Sequence, residues 1–205
     1  MIISTQELME KYKNYKVPKM KIKREIEKGT YVELKRGLYE SNKDVEPMLL
    51  SGYLCGPSYL SFEYVLSMYS IIPEAVFVYT CATVNKRHTK KYYNSFGRYF
   101  YQDIPAAAFK YGIYQITQNG YSYVIASKEK ALCDLLYTKW TVKNIKELKY
   151  LMFDDLRIDE EEFCELNMDD LLELSTLYKS TNLKMLNKYI KGVLKKYGKF
   201  VYWKV

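Results

Sequence analysis

VPKMKIKREIEKGTYVELKRGLY, residues 17–39, decides how the amino-terminal part of this 205-residue chain is read. Proline suits a first helical turn and glycine a helix end, so Val17-Pro18 to Gly29 predicts one helix. Ile22 and Ile26 stand four apart and share a face. With those two turned inward, Lys21, Arg24 and Lys28 fall on the outer side at roughly 100° per residue. Lys19 and Lys23 flank that stripe, and Glu27 dilutes it. Next, Tyr31-Val32-Glu33-Leu34 and Leu38-Tyr39-Glu40 bracket Lys35-Arg36-Gly37, the pattern of two short strands around a tight turn. Upstream, Ser4-Thr5-Gln6-Glu7 has capping-box spacing and predicts a short helix through about Lys13.

Helix, helix and hairpin within about 40 residues match a minimal winged helix-turn-helix. In that arrangement the second helix enters the major groove, and Lys35 and Arg36 at the wing tip reach phosphate. The same pattern also suits a small α/β cap whose lysines keep it in solution.

Ser41-Asn42-Lys43-Asp44 reads as a polar joint, dividing the chain into 1–44 and 45–205. Beyond it, Val45 to Leu54 is helical in pattern and ends at Gly56-Pro57. Ser58 to about Tyr69 predicts another helix. Ala75 to Thr83 is β-branched and aromatic, as a buried strand is. Further strands are expected at Phe96–Ile104, Gly112–Thr117 and Tyr121–Ala126, the last two joined by the hairpin signal Asn119-Gly120. Ser127 to Lys139 opens a run of helices that continues to the end. Its apolar face is Ala131, Leu132, Leu135 and Leu136; Glu129 suits the helix amino terminus, and Asp134 needs a partner if buried. The expected fold class is α+β: a winged helix-turn-helix, then a larger α+β domain with a small, mostly antiparallel sheet and carboxy-terminal helices.

Composition narrows the function classes. At 48% hydrophobic the chain is too apolar for a disordered tail. No apolar run approaches the roughly 18 residues of a membrane-spanning helix. MIISTQELMEKYK has no apolar signal-peptide core, so a cytoplasmic location is expected. Cys55, Cys81, Cys133 and Cys164 are scattered and His88 is the lone histidine; zinc needs close ligand pairs, so the cysteines read as small buried hydrophobes, with neither metal nor cofactor implied. Tyrosine is in excess, 23 against 8 Phe and 2 Trp. Most tyrosines fit strand and helix seams, and only Tyr92 and Tyr93 look placed for contact.

The net charge of +8 resolves into blocks. Residues 1–39 carry ten basic and five acidic side chains. Residues 84–98 carry Lys86, Arg87, Lys90, Lys91 and Arg98 with no acid, in an expected loop between strands. Residues 153–173 hold ten acids against Arg157, and 179–205 hold eight lysines and no acid. Basic residues interleaved with Tyr at 84–98 can track phosphates and stack on bases, or form a solvated loop. From Asn182 to about Tyr197, Lys184, Lys188, Lys191 and Lys195 fall within roughly 60° on a helical wheel. Leu183, Leu186, Ile190, Val193, Leu194 and Tyr197 fill the other side. A row of this kind serves a polyanion, a solvated face or a membrane surface; the core's need for the apolar side disfavours the membrane. The acidic block either lies against a basic face or keeps the far side away from DNA.

Catalytic signatures do not accumulate. No phosphate loop, dinucleotide fingerprint, G-x-S-x-G or H-E-x-x-H is present. Asp103, Glu129 and Lys130 have the residue types of a metal-dependent nuclease, but adjacent Glu and Lys on a helix splay apart. The chain does not read as an enzyme.

The order of these features resembles the AbiEi-type antitoxins, regulators of type IV toxin–antitoxin or abortive-infection pairs. The likeness lies in Glu33-Leu34-Lys35-Arg36-Gly37-Leu38-Tyr39, Pro57-Ser58-Tyr59-Leu60-Ser61 and Ile71-Ile72-Pro73-Glu74. It continues through Tyr79-Thr80-Cys81-Ala82-Thr83, Phe96-Gly97-Arg98-Tyr99-Phe100-Tyr101 and the helix from Glu129 to Leu136. It covers roughly residues 4–140; from 150 onward the helices are merely compatible. The resemblance implies a transcriptional autorepressor binding inverted repeats in its own promoter, with DNA-reading residues Lys19, Lys21, Lys23, Arg24, Lys28, Lys35 and Arg36. It also implies an AbiEii-type nucleotidyltransferase toxin, opposed without a necessary stable complex. The alternative is an antitoxin that captures its toxin directly, with DNA binding secondary.

Overall fold

The structure, a computed structural model, describes residues 1–197, with side chains through Lys195. At the amino terminus the capping box forms. The Glu7 N–H donates to Ser4 Oγ at 3.2 Å and the Ser4 N–H donates to the Glu7 carboxylate at 2.7 Å, starting α1 (Thr5–Lys11). Helix α2 (Pro18–Glu27) has its proline in the first turn. Strands β2 (Val32–Lys35) and β3 (Leu38–Glu40) pair antiparallel around Gly37, whose φ of +83° a side chain disfavours. Ile2–Ser4 adds an unexpected strand, β1, giving the order β1-β3-β2. Three residues are too few to display alternation, so only pairing with β3 defines it. Leu8, Ile22 and Tyr31 form a small core here, with Ile26 packed against it.

After a 3₁₀ turn at Pro47–Leu50 comes α3 (Ser51–Leu54). The expected helix from Ser58 is corrected: Ser58–Leu60 is strand β4, and the helix, α4, spans Phe62–Met68. Short apolar runs do not distinguish strand from helix; here β4 lies between two partners, β5 (Val78–Thr83) and β9 (Tyr121–Ala126). The expected basic loop is also corrected, because Lys90–Asn94 is a strand, β6, paired with β7 (Gly97–Asp103). Strand β8 (Ile113–Gln118) joins β9 through the anticipated hairpin, with Asn119 at φ +51° and Gly120 at φ +80°.

The sheet order is β6-β7-β5-β4-β9-β8. It is antiparallel at β6–β7, β5–β4 and β9–β8 and parallel at β7–β5 and β4–β9. The expectation of a small, mostly antiparallel sheet thus becomes a six-stranded mixed sheet beside a three-stranded antiparallel one. Residue alternation separates its faces. Tyr101 pairs with Cys81, which pairs with Leu60, and the Tyr101 hydroxyl donates to the Ser51 carbonyl at 2.6 Å. Tyr59, one residue along, points the opposite way and donates to Asp134 at 2.9 Å. The α3 segment therefore covers one face and α5 (Lys128–Thr138) the other.

Helices α6 (Ile145–Lys149), α7 (Glu160–Cys164), α8 (Met168–Thr176) and α9 (Thr181–Tyr197) complete the helical side. A π-helical stretch, Tyr150–Asp155, follows α6. The acidic block has a local explanation in this region. Asp159 accepts the N–H groups of Glu161 and Glu162, and Asn167 those of Asp169 and Asp170. Five acids, Glu160, Glu161, Glu162, Asp169 and Asp170, thus occupy first turns, where the helix dipole favours negative charge. All four cysteines are free and buried, as small hydrophobes are.

Candidate nucleic-acid interface

The three basic segments meet different fates once folded. On α2, Lys19, Arg24 and Lys28 are exposed and carry no ion pair among the described residues. Lys23 is exposed too and stands 3.8 Å from Glu27, a surface pair that restrains it weakly. Lys21 does not stand on the outer stripe. Its Nζ donates to Glu25 at 2.7 Å and lies over the rings of Tyr12 and Tyr15. The bond with Glu25 raises the Lys21 pKa and lowers that of Glu25. Glu25, buried on the face towards α1, draws the lysine round the helix.

At the β2–β3 turn Arg36 is exposed, whereas Lys35 is committed elsewhere. A bulge between Glu33 and Lys35 breaks the register and re-aims the side chain. Lys35 Nζ donates to the Tyr53 carbonyl at 3.0 Å and the Leu54 carbonyl at 2.6 Å, the free end of α3. Leu34 joins the large core, and its carbonyl accepts from Asn94 Nδ2 at 3.0 Å. The hairpin is thereby fastened to α3 and β6.

In the 84–98 segment, Lys86 donates to the Gly56 carbonyl at 2.8 Å, beside the carbonyls that hold Lys35. The backbone N–H groups of Lys86 and Arg87 both donate to Asp103 at 2.8 Å. Lys90, Lys91 and Arg98 are exposed on β6 and β7. Of the two tyrosines singled out by sequence, Tyr93 is exposed, but Tyr92 packs edge-on against Tyr101 on the buried face. Alternation along a strand puts the two on opposite sides.

On α9, Lys184, Lys188, Lys191 and Lys195 are all exposed, with Leu183, Leu186 and Ile190 buried and Val193 and Leu194 half-buried. Tyr197, expected on the apolar side, lies outside the described side chains. Since α9 packs on α5, α6 and α8, its lysine row belongs to the layer across the sheet from α3. The first and second basic segments adjoin at α3; the third stands apart from that junction.

The triad of nuclease-like residue types does not converge. Asp103 holds the backbone at 86–87, and Glu129 accepts from the Asn167 N–H at 3.0 Å. Lys130 is fully buried and donates to Asp134 at 2.7 Å. Asp134 also accepts from Tyr59 at 2.9 Å, Ser61 at 2.7 Å and Tyr178 at 2.5 Å. Lys130 further bonds the Tyr178 hydroxyl and lies over the Tyr59 and Tyr178 rings. Burial holds the Lys130 ammonium below the usual lysine range, against the pull of Asp134. It pushes the Tyr59 and Tyr178 hydroxyls up, reinforced by the Asp134 charge. Sequence flagged Asp134 as needing a partner but overlooked the i,i+4 lysine one turn earlier.

Among the described residues no group of His, Cys, Asp or Glu side chains is arranged to hold a metal ion, and no helix is long and apolar enough to cross a membrane. The fold defines a class: an α+β protein with a mixed six-stranded sheet and a small antiparallel one. No family model and no curated protein matches the chain.

Proposed function

We propose that this chain is a DNA-binding transcriptional autorepressor and antitoxin of the AbiEi kind. The observation that carries the reading is the group of cations on α2, with Lys19, Lys23, Arg24 and Lys28 exposed beside a hairpin that offers Arg36. Taken as a winged helix-turn-helix, β1-α1-α2-β2-β3 lays α2 in the major groove of a promoter inverted repeat. Arg24 has the reach and the planar donor fork for a base edge, and Arg36 meets phosphate. The partner opposed is an AbiEii-type nucleotidyltransferase toxin, and a stable complex with it is not required.

Titration of labelled upstream promoter DNA, followed by anisotropy at several salt concentrations, tests this. Five exposed cations per copy, counting Lys23 as released from its weak surface pair with Glu27, give a slope of log K against log salt of about −4.5 for each copy bound. Arg24→Ala alters preference among operator variants, while Arg36→Ala weakens binding evenly across sequences. Absence of saturable, salt-sensitive binding to the promoter sinks the proposal. A stoichiometric complex with the neighbouring gene product that survives high salt favours direct capture instead.

A further inference from the structure

We propose that the solvent-facing side of the β6–β7 hairpin is a platform for single-stranded nucleic acid, separate from the duplex-reading surface. Register and alternation assemble it. Lys91 stands opposite Phe100, and Tyr93 opposite Arg98. Direct cross-strand partners share a face, so these four side chains project together. Side-chain geometry agrees: Lys91 Nζ lies 4.9 Å over the Phe100 ring, and the Tyr93 and Phe100 rings meet edge-to-face at 6.1 Å. The residues between them, Tyr92, Tyr99 and Tyr101, turn to the opposite face, where the latter two are fully buried.

What projects is an alternation of cations and aromatic rings on the hairpin that forms the edge of the six-stranded sheet. Tyr93 is 62% exposed, and Lys91 and Arg98 are exposed beside it. From Lys90 to Asp103 the sole carboxylate is Asp103, which alternation puts on the side of Tyr99 and Tyr101 and whose Oδ2 accepts the backbone N–H groups of Lys86 and Arg87. The face therefore offers positive charge with no acid of its own strands to neutralise it. A base has two open faces only when it is out of a duplex; a tyrosine ring with an arginine plane alongside stacks such a base, and lysine meets the adjoining phosphate. In duplex DNA the base faces are covered, so the aromatic half of this surface has nothing to contact. An apolar protein partner has no use for the uncompensated cations.

Labelled oligo(U) and oligo(dT) of about 15 nucleotides, near the upper end of such site sizes, serve as probes, with a duplex of equal length alongside. Saturable binding to either single strand is expected. Tyr93→Ala weakens it at least about fivefold, the low end for loss of one stacked base, and Tyr93→Phe retains it because the ring, not the hydroxyl, stacks. Removing Lys91 and Arg98 together flattens the salt slope by about 1.4. Tyr114→Ala, at an equally exposed tyrosine on the far edge strand β8, leaves binding unchanged. Arg24→Ala affects promoter duplex and not the oligonucleotides, so failure of the duplex reading and failure of this one give different results. No saturable binding to either single strand, or equal losses for Tyr93→Ala and Tyr114→Ala in proteins that melt like the parent, overturns the proposal.

Discussion

Asp134 collects donors from three separated parts of the chain: Tyr59 on β4 with Ser61 just after it, Lys130 on its own helix, and Tyr178 after α8. Fully buried, the ion pair contributes little net stability as a unit, yet breaking it strands a charge. Asp134→Asn is expected to cost about 3–5 kcal/mol in urea unfolding. Lys130→Met costs less, because three hydroxyls still donate to the carboxylate. A loss below about 1 kcal/mol for Asp134→Asn would contradict the assigned geometry. The tyrosine excess has a second residue-scale consequence. Burial raises the hydroxyls of Tyr64, Tyr121 and Tyr189 to about 12, above the unfolded value near 10. Their contribution is intact below pH 10 and is lost as pH climbs from 10 through 12. Each removes up to about 1.4 kcal/mol per pH unit in that window. Unfolding titrations at successive pH values should show stability falling there; a flat profile would refute it.

At the scale of elements, legibility tracked how local the determinants are. The capping box at Ser4, the proline-led α2, the Asn119-Gly120 hairpin and the Ser127-capped α5 each depend on neighbours a few residues away, and each formed. Strands β1, β4 and β6 were not legible. Each is three to five residues long; β1 and β4 owe their conformation to partner strands far along the chain, and β6, though hairpin-paired with β7, reads from its run of lysines as a solvated loop. Two glycines separate these regimes experimentally. Gly120 has φ +80° with open space around it, so Gly120→Ala costs only the backbone strain, about 1 kcal/mol. Gly112 has φ +65°, and an added Cβ would lie 2.9 Å from Lys130 Cβ. Gly112→Ala should therefore destabilise distinctly more; equal shifts in melting temperature would show that the packing of β8 against α5 is looser than described.

For the molecule as a whole, the decisive event is the docking of the hairpin at residues 32–40 onto α3 and β6. Lys35 illustrates the outcome: sequence placed it at a wing tip facing phosphate, and the fold spends it on the Tyr53 and Leu54 carbonyls. Lys35→Ala should lower stability by about 1.5–3 kcal/mol, the usual range for bonds from a charged donor, with little change in the salt slope of promoter binding. Arg36→Ala should do the reverse, leaving stability alone and flattening the slope by about 0.9. Stability and binding assays on the two variants separate them; a matching pair of profiles would place both residues in one role. The amino-acid sequence alone determined the α+β class, the helix-helix-hairpin order, the burial of the cysteines and the amphipathic split of α9, because periodicity, capping and turn chemistry act over a few residues. Only the tertiary structure decided which cations remain free. An ammonium is satisfied by whatever carbonyl or carboxylate the fold brings within hydrogen-bonding distance: Lys35 and Lys86 find carbonyls that only packing supplies, whereas Lys21 and Lys130 have i,i+4 carboxylates on their own helices, which packing then buries.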